Sequence, residues 1–118
     1  EKPRFNFDEI PTVERKAKSQ GYPSTKPVNS VWCLTMSTSD PQRVGYPSQK
    51  PVELYRRLIE THTAAGELVV DPFAGSGTVI EAGIVTGRNV IANDHSDYSR
   101  NVMADRLAQL TNKPEGTK

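Results

Sequence analysis

One cysteine, Cys33, stands in the 118 residues, so the chain can close no internal disulfide and can build no cysteine-rich zinc site. Histidine is nearly as scarce. His62 and His95 are the only two, and with one cysteine they make no metal-ligating constellation. Long apolar runs are missing too: Leu68-Val69-Val70 and Val31-Trp32-Cys33-Leu34 are the clear ones, far short of the roughly 20 residues a membrane helix needs. The first residues do not form a charged-then-apolar leader, and a reducing, cytoplasmic setting with no membrane and no metal is the expectation. Hydrophobic residues are 35% of the chain, low for a compact domain, and nine prolines interrupt it, so part of it is expected to be irregular. The length suits one small domain with a modest core.

The net charge of +1 hides an asymmetry. Residues 1–57 hold ten basic and six acidic side chains, whereas residues 58–118 hold five and eight. A basic front half can face phosphates, although ordinary solvated surface gives the same count.

Residues 1–44 show no sustained period. Within them, residues 14–18 read as a short helix without an apolar backing, Val31-Trp32-Cys33-Leu34 as a strand or docking segment, and residues 37–41 as loop. Gly21-Tyr22-Pro23-Ser24-Thr25-Lys26-Pro27-Val28 returns almost unchanged as Gly45-Tyr46-Pro47-Ser48-Gln49-Lys50-Pro51-Val52; two copies make no solenoid, and the first reads as a duplicated turn. From Pro51 the pattern sharpens. Val52, Tyr55, Leu58 and Ile59 fall at helical spacing with charged residues between them. Leu68-Val69-Val70 reads as a buried strand, Gly75-Ser76-Gly77-Thr78 as a tight loop, and residues 79–85 as a helix stopped by Gly87. Residues 89–93 read as a second strand, and residues 98–110 as a third helix with Tyr98, Val102, Leu107 and Leu110 inward. The order helix-strand-helix-strand-helix predicts an α/β fold with parallel strands and a right-handed crossover, preceded by a largely irregular segment. The boundaries expected are 1–44, 45–110 and a polar tail, 111–118.

A glycine-rich turn at a strand's carboxyl end lets a ligand approach the backbone, and the next helix offers unpaired N–H groups there. Asp94, at the end of the second strand, is placed to accept from ribose hydroxyls. Gly75-x-Gly77 lacks the third glycine of a dinucleotide fingerprint, and no Gly-Lys-Ser/Thr follows as a phosphate loop requires. The pattern points to a nucleoside without a pyrophosphate. Singly, Asp71 also reads as a helix cap, Lys50 as a solvated charge and Phe73 as a core residue. Trp32 and Tyr46 read as packing residues before base-stacking ones, His62 as a helix-end residue, and His95 as a pocket neighbour of Asp94.

Asp71-Pro72-Phe73-Ala74-Gly75-Ser76-Gly77-Thr78 resembles the S-adenosylmethionine motif of DNA amino-methyltransferases. Residues 45–54 resemble the Pro-Thr-Gln-Lys-Pro segment that precedes that motif in their permuted classes, and residues 88–94 resemble the second strand with its acidic end. The resemblance covers about residues 44–110 and implies a partial Rossmann-like methyltransferase fold. Its cofactor is S-adenosyl-L-methionine and its partner is DNA, with methylation of an exocyclic amino group of adenine or cytosine, as in restriction-modification. By the same resemblance Ser48, Gln49 and Lys50 meet the methionine end. Asp71, Phe73, Ala74, Gly75, Ser76, Gly77 and Thr78 form the pocket wall and floor, and Asp94 binds the ribose. The family's catalytic tetrapeptide is an Asp, Asn or Ser followed by two prolines and an aromatic, and it occurs nowhere in the sequence. The chain therefore reads as the carboxyl-terminal, cofactor-binding half, without a catalytic residue of its own. A two-strand sheet leaves an edge bare, so a homo-oligomer, or a second chain carrying the catalytic half, is expected unless residues 1–44 fold over that edge. The alternatives are an inactive cofactor-binding module or remnant, and a methyltransferase acting on RNA or a small molecule.

Overall fold

The computed structural model describes residues 12–14, 25–27, 32 and 34–112. Its elements are β1 (Thr12–Glu14), β2 (Thr25–Pro27), α1 (Val52–His62), β3 (Leu68–Asp71), α2 (Thr78–Thr86), β4 (Asn89–Ala92) and α3 (Asp97–Thr111). The expected helix-strand-helix-strand-helix order is present, and β3 pairs with β4 in parallel, Leu68 opposite Asn89 and Asp71 opposite Ala92. The front of the chain differs from expectation. β1 and β2 pair as an antiparallel ribbon, Thr12 opposite Pro27, and Glu14 ends a strand rather than opening a helix. Three-residue strands beside prolines are too short for alternation to reveal. Residues 15–18, most of the first repeat, Val31 and Cys33 lie outside the described residues. Trp32 and Leu34 belong to no helix or strand, and the Trp32 ring lies 5.5 Å from the Arg57 guanidinium.

Each element begins and ends where its chemistry directs. Pro51, with φ −64° and no N–H to lose, is the N-cap of α1. Thr63 closes that helix by donating its N–H to the Ile59 carbonyl at 2.9 Å. Gly77 (φ +71°) and Gly87 (φ +69°) bracket α2 in left-handed conformations that a side chain would strain. Ser96 caps α3 by accepting the Ser99 N–H. At the amino ends of the strands, Arg88 ties two turns together by donating to the Thr63 hydroxyl and carbonyl at 3.1 and 2.7 Å.

The core lies between the helices and one face of the sheet. Val52, Ile59, Val79, Ala82 and Met103 are buried there, with Val69, Val90 and Ala92 packed against them from the strands. Each large aliphatic side chain so buried contributes about 1.5–3 kcal/mol. Gly83 on α2 faces β4 so closely that a Cβ would stand 2.1 Å from Val90 Cγ2. Among the described residues nothing covers the opposite face. Leu68, Val70 and Ile91 are 54%, 59% and 55% exposed, so the strand expected to be buried is buried on one side alone. The reason is its alternation: Val69 points to the helices, and its neighbours must then point away. On α3 the buried residues are Ser99, Met103 and Arg106, not Tyr98 and Leu107, which are exposed. Leu58 of α1, also expected inward, is exposed.

Candidate functional site

The carboxyl ends of β3 and β4 carry a heavily bonded loop. After Asp71 the chain turns through Gly75 (φ +53°) and Gly77 into α2. The turn is stitched to the neighbouring strand, because Ala74 donates its N–H to the Asn93 carbonyl at 2.9 Å and Asn93 donates to the Asp71 carbonyl at 2.9 Å. Asp71 Oδ1 accepts the Phe73 N–H at 3.0 Å, a local turn bond rather than a helix cap. Burial of the Tyr55 phenol, followed by the negative charge of Asp71 near it, raises its pKa above the ordinary value.

Asp94 joins the two strand ends. Its Oδ2 accepts the Gly75 N–H and its Oδ1 the Ser96 N–H, both at 3.0 Å. The Ser96 and Gly75 amides, in that order, hold the carboxyl below its usual pKa, so it is ionised in the folded protein across the neutral range. The Ser99 hydroxyl adds a smaller pull in the same direction. The Tyr46 hydroxyl and Ser99 Oγ share a hydrogen bond of 2.9 Å. The Tyr46 ring stacks on Tyr98 with centroids 5.6 Å apart and planes 12° from parallel. The bond to Ser99 and the stack on Tyr98 thus fix residue 46 beside the glycine turn, where a Cβ on Gly75 would meet the Tyr46 ring at 3.4 Å.

The second candidate segment is brought to the same place. Thr78 Oγ1 donates to the Lys50 carbonyl at 3.1 Å, and its one proton being so engaged, Ser76 Oγ, 3.1 Å away, donates to it. Ser76, Thr78 and Ala74 are buried, with both hydroxyls engaged beneath the loop. Gln49 is half-buried, its amide donating to the Gln42 carbonyl at 2.6 Å and accepting the Val44 N–H at 2.9 Å. Ser48 and Lys50 are exposed. Phe73 is 83% exposed, which removes it from the core. Thus Lys50, Gly75, Ser76, Thr78 and Asp94 meet through direct bonds, whereas Phe73, Ser48 and the Lys50 ammonium stand at the rim.

The remaining candidates fall into place around this frame. His95 is exposed, with Nδ1 3.3 Å from Asp94 Oδ1, and His62 closes α1 with Nδ1 2.8 Å from the Leu58 carbonyl. Among the described residues no group of His, Cys, Asp and Glu can hold a metal ion, and no helix is long and apolar enough to cross a membrane. The basic excess of the front half is partly engaged at home. Arg56 and Arg57 pair with Glu53, Arg56 also with Glu60, and Arg43 donates to the Ser37 carbonyl. Sequence reading missed Gln42, Ser99 and Arg106. The one available signal was the spacing 99, 103, 106, 110, which runs along one side of a helix but contains two polar residues.

Chemically, the arrangement offers exposed aromatic surface from Phe73 and Tyr98, an ionised carboxylate at the second strand end, and an exposed cationic side chain, Lys50. A planar base, vicinal hydroxyls and a carboxylate are the ligand groups that such a set would meet. The elements define a class: the α/β, Rossmann-like fold of methyltransferases. The crystal structure of M1.HpyAVI bound to S-adenosylmethionine superposes with a TM-score of 0.57 at 29% identity, over 82% of this chain and 44% of that one. The chain belongs to the DNA methylase family, whose model matches residues 1–104. It is similar to the type II methyltransferase M2.MboI of Moraxella bovis, 39% identical over 56% of this chain and 24% of that protein. The DNA adenine methyltransferase YhdJ of Escherichia coli K12 is 36% identical over 71% of this chain and 29% of that protein. The chain spans about a quarter to three-tenths of the length of these curated relatives.

Proposed function

We propose that the chain is the S-adenosyl-L-methionine-binding part of a site-specific DNA methyltransferase, one that methylates an exocyclic amino group of adenine or cytosine. The observation that carries the reading is the joining of two separate segments, Ser48–Lys50 and Asp71–Thr78, by the Thr78-to-Lys50 bond beside Asp94. Asp94, already ionised, keeps lone pairs for ribose hydroxyls, and Phe73 and Tyr98 offer faces to a purine. Lys50 and Gln49 flank the methionine end. When bound, the cofactor supplies a methyl group on a sulfonium. The chain's own residues orient it and exclude water from one side, so their contribution is positioning. The fit is one of chemistry: aromatic, anionic and cationic groups occur in the order that such a molecule requires.

The target amine needs a partner for its own protons, and this sequence holds no tetrapeptide of the catalytic kind. That half is supplied by a second polypeptide or by chain upstream of these residues, with residues 1–44 on the DNA side and residues 45–110 as the cofactor unit. A cytoplasmic setting fits this reading. Among the described residues the sheet has two strands, so β3 keeps one edge unpaired, next to the bare face of Leu68, Val70 and Ile91. Calorimetric titration with S-adenosylhomocysteine, beside Asp94→Ala, tests the reading. Saturable binding that the variant loses is the expected result; a folded chain that takes no ligand would overturn it. Methyl transfer to RNA and not to DNA, once the second half is supplied, would replace the substrate.

A further inference from the structure

Arg106 lies in the middle of α3, thirty residues beyond the glycine loop, and yet it is 2% exposed. A guanidinium is rarely buried without partners, and here every side of it is engaged. Nη1 donates to the Ser76 carbonyl at 2.8 Å and to Thr78 Oγ1 at 3.2 Å. Nη2 donates to the Gln42 carbonyl at 3.3 Å, and Nε faces Glu81 Oε2 at 3.2 Å, an ion pair that keeps the buried charge compensated. These partners come from three places: the glycine loop, α2, and the irregular segment before α1. The Gln42 carbonyl also accepts from the Gln49 amide at 2.6 Å, and the Gln42 side-chain oxygen accepts the Val52 N–H at 3.3 Å. Arg106 therefore holds, on one rigid plane, the loop that carries Ser76–Thr78 and the strut that carries Gln49 and Lys50.

We propose that Arg106 is a positioning residue of the cofactor site, setting the Gln49–Lys50 segment against the glycine loop so that the methionine end and the nucleoside end of one ligand are met together. The inference rests on the cofactor reading above and adds to it a residue that no motif marks. The planar fork matters more than the charge, because one ammonium cannot reach the Ser76 and Gln42 carbonyls and Glu81 at once. The glycine turn itself is fixed from the other side, by Asp94 on the Gly75 N–H. Loss of the fork should then loosen the Gln49–Lys50 strut, which keeps the Thr78-to-Lys50 bond as its tie to the loop, while the nucleoside wall stays in place.

The test is binding of S-adenosylhomocysteine by calorimetry and of adenosine by chemical-shift titration, on wild type, Arg106→Lys and Arg106→Gln. Both are measured where circular dichroism shows wild-type helix content. Either folded variant should bind S-adenosylhomocysteine about tenfold or more weakly, with adenosine affinity within about twofold of wild type. Equal loss for both ligands, or no loss for either, would overturn the proposal, and so would failure of both variants to fold at any temperature, which would make Arg106 a purely structural residue. If wild type itself binds adenosine but not S-adenosylhomocysteine, the positioning role also falls. If it binds neither, the cofactor reading fails first and takes the role with it.

Discussion

At the carboxyl ends of β3 and β4, polar groups answer one another: Asp94 with the Gly75 and Ser96 amides, Thr78 with Lys50, Arg106 with Ser76 and Gln42. On the far face of the same two strands, Leu68, Val70 and Ile91 are more than half exposed. Beside β3's outer edge, a groove of about 320 Å³ opens between α1 and the strand, lined by Tyr55, Leu58, Ile59, Val69 and Val79 among others. The first region is finished by this chain's own side chains. The second has apolar surface that water covers poorly, of the kind that partners cover. The difference teaches that a polar, internally bonded end and an apolar flank can share two strands because alternation sends successive side chains to opposite sides, while the strand termini point along a third direction.

Two glycine substitutions would break the finished region. Gly83→Ala puts a Cβ 2.1 Å from Val90 Cγ2 and so forces α2 from β4. We expect a loss of about 2 kcal/mol from overpacking, even though alanine is favoured over glycine by about 1 kcal/mol in a helix interior. Urea midpoints measure it, and Val90→Ala in the same chain should recover part of the loss. Gly77→Ala is the next largest. Its φ of +71° costs a side chain about 1–2 kcal/mol, and the new Cβ would stand 2.7 Å from Met103 Cγ, a flexible neighbour that can give way. Since the strain sits in the loop, S-adenosylhomocysteine affinity should fall with stability. An unchanged midpoint would mean that the turn is not held in this conformation.

These two regions were not equally legible. The glycine loop, the strand order and Asp94 were readable because glycines at a strand-to-helix turn answer one backbone demand, positive φ, which few other residues meet. Gly75 and Gly77 both obey it. The inner face of α3 was not readable, because apolar spacing chose Tyr98 and Leu107 while the helix packs against a loop rich in carbonyls and hydroxyls. Against such a surface Ser99 and Arg106 are the better-satisfied residues, and hydrophobicity is the wrong guide. Leu68-Val69-Val70 failed for a different reason. A continuous apolar run reads as a strand buried on both sides, and here one side awaits a cover that the described residues do not provide.

A smaller effect, set by pH, sharpens the contrast at the ligand end. The Asp94 carboxyl has its folded-state pKa lowered, chiefly by the Ser96 and Gly75 amides. Its contribution to stability is therefore fully present above the unfolded carboxylate range and disappears as pH falls through the lower folded value. Thermal midpoints followed downward from neutral pH should fall in that acid window, and Asp94→Asn should lower the neutral-pH midpoint and flatten the acid slope. A variant with the wild-type slope would assign the acid loss to other groups, Glu53 first, whose carboxyl is also lowered, chiefly by its bond to Arg56.

The smallest change in stability belongs to the bare face, where the change in behaviour should be the clearest. Val70 and Ile91 stand opposite one another in the register, both outward, so Val70→Lys with Ile91→Lys replaces a continuous apolar stripe by two charges. Exposed positions that pack against nothing tolerate such changes within about 0.5 kcal/mol, so the urea midpoint should barely move. Lysines on an open strand are also a natural guard against edge pairing. Light scattering behind size exclusion should therefore show wild type associating and the double variant as a monomer, with S-adenosylhomocysteine binding retained by both. If wild type is already monomeric, the flank is covered from within the chain, and residues 1–33 are the segment to delete next. If instead the double variant loses both fold and binding, the far face contributes to the core, and the division between a finished end and an open flank does not hold.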